Sequence, residues 1–381
     1  MSWDRVIGQE RIKKLLQKAV IDNRLAHAYC FIGSDGVGKD AVAIELAKIL
    51  NCKSPVIEGD SIDSCGECSS CRQAAVLQHT NIQLVFSLPT GKKTDSKKDA
   101  PLESLSDEQM DDVIEQIAVK AENPYHKISV QDANTIKIAQ VRELRKSLAM
   151  AGIQQGKRCL IMSRADEMTA EASNSLLKTL EEPHDNVLLI ITTSRQESIL
   201  PTILSRCQRI KFDPISESDI ATAIKKMKYL TDTEARLVAA FAQGSITRAW
   251  DFLDEDMKQA REDAVSLLRA SLKKNNYRLE FSEMLESIIK GKDKKGIEVF
   301  LGILLLWFRD VVSYAKNGSE DFIINSDQTE TIKKFAEGYS GKDLTALIDE
   351  VEKSISQIRK NVNVQLIMMR QFLNFRKILL T

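Results

Sequence analysis

Through the first half of the chain, short unbroken apolar runs alternate with stretches whose apolar residues recur every three or four positions. Ala28-Tyr29-Cys30-Phe31-Ile32 is the first such run and predicts a strand, and Ala41 to Leu50 (AVAIELAKIL) has helical spacing. Cys159 to Met162 predicts a second strand, and Glu171 to Glu182 (EASNSLLKTLEE) a helix stopped by Pro183. Asn186 to Thr193 (NVLLIITT) is a continuous buried strand, and Gln208 to Phe212 a shorter one. Strands without a polar face must be covered on both sides, so the pattern predicts an α/β fold, a parallel sheet between helical layers. After Asp213-Pro214 nothing reads as a strand, and helical periodicity runs nearly to Thr381, with Ser216-x-x-Asp219 as a helix start. The expected organisation is an α/β domain at 1–213, a small helical domain at 214–255 and an all-α domain at 256–381.

Two stretches depart from this pattern. Leu88 to His126 is polar, lysine-rich at GKKTDSKKDA and acidic at SDEQMDDVIEQ, and reads as a partly disordered surface insertion. The N-terminal MSWDRVIGQERIKKLL reads as an amphipathic helix preceded by a capping Ser or Asp, not as a signal peptide. The longest apolar run, Val299 to Phe308, is too short for a membrane span and reads as a buried helix, so a cytoplasmic protein is expected. Lys+Arg and Asp+Glu balance at 54 each, which argues against gripping nucleic acid by bulk charge.

The strongest chemical signal lies between the first strand and the first helix. Gly33-Ser34-Asp35-Gly36-Val37-Gly38-Lys39 is a phosphate-binding loop, in which glycines turn backbone N–H groups toward phosphate and Lys39 supplies a cation. The next position normally carries Ser or Thr to help hold Mg²⁺, and here it is Asp40. A carboxylate about 4 Å from phosphate costs on the order of 4 kcal/mol at an effective dielectric near 20. Weakened ATP or ADP binding is therefore expected. A strand-end acid should complete the magnesium site, yet the Cys159–Met162 strand runs into Ser163-Arg164. Asp166 and Glu167 arrive three residues later and read as charges at a helix N-terminus.

Cys52, Cys65, Cys68 and Cys71 form C-x12-C-x2-C-x2-C, a spacing that fits a closed tetrahedral Zn²⁺ site. Cys30 and Cys159 read as small core residues, and Cys207 lies beside a strand. With four thiolates completing a shell, His79 is expected to pack or hydrogen-bond, and His27 to be structural.

The blocks RLAHAYCFIGSDGVGK (24–39), NSLLKTLEEP (174–183) and LIITTSRQESILPTILSRCQRIKF (189–212), with the cysteine segment, resemble bacterial AAA+ clamp-loader subunits. These are the delta-prime and gamma/tau components of the DNA polymerase III holoenzyme. The resemblance is specific over about residues 1–250 and architectural beyond. It implies an AAA+ P-loop domain with a zinc module, a helical lid and a helical collar. It also implies a hetero-pentameric ring with gamma/tau and delta partners that sets the sliding clamp on primer-template DNA.

Gamma-type motors carry Thr where this chain has Asp40, and their Asp-Glu pair falls on Ser163-Arg164. Both departures point to the delta-prime type, with weak or absent hydrolysis of its own. By the same resemblance, Arg206 in Ser205-Arg206-Cys207 acts in trans on a neighbour's γ-phosphate, a role worth roughly 10³–10⁵ in rate. Arg248 matches a second nucleotide-sensing arginine, and Val6-Ile7-Gly8-Gln9 the adenine-side segment. A gamma-type motor using Asp40, Asp166 and Glu167 for magnesium is the second reading. A zinc-containing nucleic-acid adaptor is the third, and the charge balance counts against it.

Overall fold

The computed structural model describes residues 3–89, 101–149, 156–183, 186–227, 230–253, 257–274, 277–290, 292–360 and 362–380. The chain divides into two compact units, Met1–Ser216 with Gly244–Thr247, and Glu217–Gln243 with Arg248–Thr381.

In the first unit α1 (Glu10–Ile21) precedes β1 (Ala28–Ile32) and α2 (Lys39–Leu50). A hairpin of β2 (Val56–Glu58) and β3 (Ser61–Asp63) is flanked by Cys52 and Cys65, the short α3 (Ser69–Ala75) is capped by Cys68 and contains Cys71, and β4 (Ile82–Val85) follows. Then come α4 (Asp107–Glu122), α5 (Ile138–Ala149), β5 (Arg158–Met162), α6 (Ala170–Glu181), β6 (Val187–Thr193), α7 (Pro201–Leu204) and β7 (Gln208–Lys211). Among the described residues the main sheet has the order β4-β5-β6-β1-β7, with every neighbouring pair parallel.

This is the α/β fold the apolar runs predict. All of β6 is buried, because its central place puts helices on both of its faces. On one face Leu160, Leu176, Leu189, Ile191 and Ile203 share a core with Cys30. Parallel strands all end at one edge, so the segments after β1, β5 and β6 converge there, the usual place for a ligand in such sheets.

Two local expectations need correction. The first helix begins at Glu10, not near Ser2 or Asp4, and Trp3–Arg5 is a single 3-10 turn. The Trp3 indole donates to Ile62 O at 3.0 Å, and Gly8 and Gln9, with φ of 62° and 59°, lie in the left-handed region, which interrupts helix propagation. The strand β4 and the cysteine hairpin carry no clear sequence signal, being short and in part exposed.

The second correction concerns the insertion. Its lysine-rich stretch, 91–100, lies outside the described residues, but 101–126 is ordered. Ser106 and Gln109 form a capping box that starts α4. The apolar side chain of Val113 joins Phe86, Leu88 and Val130 in a small core of its own.

The second unit is helical throughout its described residues. It comprises α8 (Glu217–Met227), α9 (Asp232–Ala242), most of α10 (Ile246–Leu253), α11 (Met257–Leu272), α12 (Tyr277–Lys290) and α13 (Lys294–Asn317). It ends with α14 (Thr329–Gly338), α15 (Thr345–Arg359) and α16 (Val364–Leu380). Val299 to Phe308 is a buried helix, as its length predicts. No helix among the described residues is long and apolar enough to cross a membrane. Gly302 lets α13 approach α9 closely: a Cβ there would lie 1.8 Å from the Phe241 ring. The buried Asp310 carboxylate accepts from the backbone N–H groups of Ile324 and Asn325 and fixes the chain between α13 and α14.

Candidate functional site

The phosphate loop leaves β1 and enters α2, as its residues require. Gly36 and Gly38 have φ of 78° and 97°, a conformation that a side chain would strain. Gly33 has no room for a side chain, since a Cβ would come within 2.8 Å of Phe212 O on the chain leaving β7. Lys39 is buried and turns its ammonium back onto the loop, donating to Gly33 O and Ser34 O at 2.7 Å each. Burial lowers its pKa, opposed by the charges of Asp35, Asp40 and Asp166. The loop's outer side is also covered. Ile246 N donates to Gly36 O at 3.0 Å, and a Cβ on Gly36 would strike Ser245 Oγ at 2.1 Å and Thr247 Oγ1 at 2.4 Å.

Asp40 sits in the first turn of α2 and accepts three side-chain hydrogen bonds. Ser163 Oγ at the end of β5 donates at 2.7 Å, and Thr192 Oγ1 near the end of β6 at 2.8 Å. The third comes from Lys120 Nζ, at 2.8 Å from Asp40 Oδ2. Lys120 is only 2% exposed and also donates to His126 O at 2.7 Å. Burial works against the charge on Asp40. The Lys120 charge and the hydrogen bonds from Lys120, Ser163 and Thr192 outweigh it and bring the carboxyl down to about 2.

Ser163 stands where the resemblance to gamma-type motors calls for a metal-binding acid, and it is a donor to Asp40. The nearest acids are engaged elsewhere. Asp166 accepts from Thr193 Oγ1 at 2.9 Å and from Arg195 Nε at 3.0 Å. Glu167 pairs with Arg164 and accepts from Ser87 Oγ. Both lie in the first turn of a short 3-10 helix, Ala165–Glu167, and not on α6, which starts later and is capped by Thr169 Oγ1.

Lys120 and Tyr125 escaped the sequence reading, which assigned their segment to a solvated insertion. The available signal was physical: a carboxylate placed beside a phosphate loop demands a cation, and Lys120 ends the otherwise acidic, amphipathic α4. Thr192 stands with Thr193 at the tip of its strand, where a β-branched residue is common, and nothing local marks it as a partner of Asp40.

The two arginines lie apart from these groups in kind. Arg206 follows α7, donates to Thr202 O at 3.1 Å and pairs with Glu181 at 2.9 Å, both partners substantially exposed. Arg248, in α10 of the second unit, donates to Gln243 Oε1 at 3.1 Å.

The four cysteines converge. Their sulfurs lie within 4.8 Å of one another, with Cys52–Cys65 at 3.5 Å and Cys65–Cys71 at 3.9 Å. These separations exceed a disulfide bond and match the edge of about 3.8 Å that follows from tetrahedral Zn–S distances of about 2.3 Å. Backbone N–H groups of Cys65, Cys68 and Cys71 point at the sulfurs of Cys52, Cys65 and Cys68 at 3.3–3.4 Å. Burial opposes the Cys68 thiolate, yet backbone donors from Lys53 and Cys71 bring its pKa down to about 6. The donor set therefore fits a soft divalent ion.

His79 stays outside the cluster. Its Nδ1 accepts from Asn81 N at 3.1 Å, so Nε2 carries the proton and donates to Ser70 Oγ at 2.7 Å.

A parallel sheet with a P-loop after β1 and helices on both faces defines a P-loop type of nucleotide-binding domain, here with Asp40 where a magnesium-binding hydroxyl normally stands. The sequence matches the family described as "DNA polymerase III, delta subunit" over residues 8–216. It also matches "DNA polymerase III, delta subunit, C terminal" over 255–377. The chain belongs to this family. Among curated proteins it is 28% identical to DNA polymerase III subunit delta' of Bacillus subtilis over 96% of this chain and 95% of that one. It is 24% identical to subunit tau of the same organism, over 94% of this chain and 58% of that one. Among solved structures, a DNA polymerase III gamma subunit-related protein of Thermotoga maritima aligns with a TM-score of 0.43 and 15% identity, covering 96% of this chain and 99% of that chain.

Proposed function

We propose that the chain is the delta-prime-like, non-driving member of a DNA polymerase III clamp loader. The observation that carries this reading is the environment of Asp40. The residue that should bind magnesium is a carboxylate already satisfied by Lys120, Ser163 and Thr192. Asp166 and Glu167, which the motor reading needs as metal ligands, are held by Arg195, Thr193, Arg164 and Ser87. The chain then contributes to its neighbours instead of turning over ATP itself. Arg206, half-exposed and held by an ion pair to Glu181 and a hydrogen bond to the Thr202 carbonyl, is the residue that reaches a neighbouring subunit's γ-phosphate.

Its partners in this reading are gamma/tau and delta subunits in a hetero-pentameric ring, with the sliding clamp and primer-template DNA, in the cytoplasm. The 214–255 segment acts as a lid bearing Arg248, and 256–381 as the collar. Cys52, Cys65, Cys68 and Cys71 hold a structural Zn²⁺ that pins the hairpin to α3. The deciding experiment measures DNA-stimulated ATP turnover by the purified chain and by a reconstituted loader. No turnover by the chain alone, with loader turnover dependent on Arg206, is expected. Turnover by the chain that Lys39→Ala abolishes would establish the motor reading instead.

A further inference from the structure

A nucleotide in a phosphate loop needs two things besides the loop: a cation facing the residue after the lysine and the neighbouring strand ends, and a surface for the base. Both positions are filled by one short segment of this chain, Lys120 to His126. The Lys120 ammonium contacts Asp40, with Ser163 and Thr192 closing around the same carboxylate. That is where a divalent ion would be held. Five residues on, the Tyr125 ring packs against Gly38, whose added Cβ would lie 3.1–3.4 Å from Tyr125 Oη, Cε1 and Cζ. The phenol oxygen accepts from Ile7 N at 2.6 Å, using the kind of backbone donor that recognises an edge of a purine ring.

The segment is rigidly mounted. Arg5 donates to the carbonyls of Ala121 and Glu122 at the end of α4. Asn123-Pro124 then forms a tight turn in which Asn123 accepts from Tyr125 N and His126 N. Lys39 is meanwhile spent on its own loop, and Gly36 is covered by Ser245 to Thr247.

We infer that Lys120–His126 is a tethered plug of the nucleotide cleft, with Lys120 in place of the divalent cation and Tyr125 in place of the base. The loop keeps its glycines and lysine because the plug needs the same backbone that a nucleotide would. This inference rests on the non-driving reading above and adds its physical cause: the cleft is internally occupied. It also accounts for Asp40, which is a partner for Lys120 and not a damaged magnesium ligand.

The test titrates the full chain and its variants with a fluorescent ATP analogue and Mg²⁺, each sample checked by thermal unfolding. The wild type should show no saturable binding. Tyr125→Ala should gain nucleotide binding that does not depend on Mg²⁺, since Lys120 still holds the cation position, and Asp40→Thr with Lys120→Ala should gain Mg²⁺-dependent binding, each by at least about tenfold over wild type. Asp40→Asn with Lys120→Met, which keeps the shape of the plug without its charges, should stay closed. If the Asp40→Thr, Lys120→Ala protein does not fold, Tyr125→Ala decides alone. Wild-type binding as tight as that of the opened variants overturns the plug, and so do folded opened variants that gain nothing. ATP turnover by the wild type would instead remove the non-driving reading, so the two failures are distinguishable.

Discussion

Lys120 Nζ and Asp40 Oδ2 lie 2.8 Å apart, although the residues are 80 positions apart in the chain. The pair joins the last turn of α4 to the first turn of α2, so each charge also sits at the helix end whose dipole favours it. With Lys120 almost wholly buried, the two charges depend on each other.

Lys120→Met should leave the Asp40 carboxylate shielded from water without its cation and destabilise the first unit by about 3 kcal/mol. Lys120→Met with Asp40→Asn should recover most of that loss, because no charge is then stranded. Chemical denaturation of the two proteins checks this. Equal stability of wild type and Lys120→Met would show that the ion pair holds nothing in place.

The same pair sets a pH dependence. Asp40 titrates at about 2 in the fold and near 3.9 in an unfolded chain, so its folded-state pKa is depressed. The stability it contributes is therefore fully present above about pH 4 and is lost as pH falls toward 2. Above that window the difference in stability between wild type and the neutral Asp40→Asn, Lys120→Met protein should stay constant, and within it the wild type should lose stability relative to the variant as pH falls. A constant difference within the window would contradict the assignment.

Arg206→Ala should lower the ATPase of a reconstituted loader by roughly 10³-fold at the site that Arg206 serves, with ring assembly intact. Folding stability of the isolated chain should change by less than about 1 kcal/mol, because the Glu181 pair it loses is exposed. Full loader turnover with the variant would take Arg206 out of the mechanism.

Elemental analysis of chain purified without chelators should find about one zinc per molecule, falling to near zero in Cys65→Ser. Removing the metal should open the hairpin segment, 52–71, to protease. Because thiolates and not thiols hold the metal, metal loss is expected on acidification. Metal content unchanged in Cys65→Ser would reject the four-cysteine site.

In the second unit, Gly302→Ala should drive a methyl group into the Phe241 ring and cost about 1–3 kcal/mol through overpacking of α13 against α9. Thermal unfolding measures it. A neutral result would mean that the ring turns aside freely.

Legibility from sequence followed the length and continuity of each signal. Ala28–Ile32 reads as a strand and is one, and Val187–Thr193 is apolar along its whole length because its place in the middle of the sheet leaves it no wet face. Ile82–Val85 has four residues at the sheet's edge and left no comparable trace. The loop from Gly33 to Lys39 and the cysteine spacing were readable because local covalent spacing places their donor atoms. Lys120 was not, because its meaning depends on which helix end meets which.

The amino-acid order by itself determined the alternation of strands and helices, the phosphate loop with its anomalous Asp40, and the set of four cysteines. All of these rest on interactions within a few residues or on burial patterns that repeat along one element. Only the tertiary structure decided what Asp40 faces. The insertion brings Lys120 and Tyr125 to the start of α2, and a charge removed from water takes its character from whatever lies within hydrogen-bond reach, however distant in the chain.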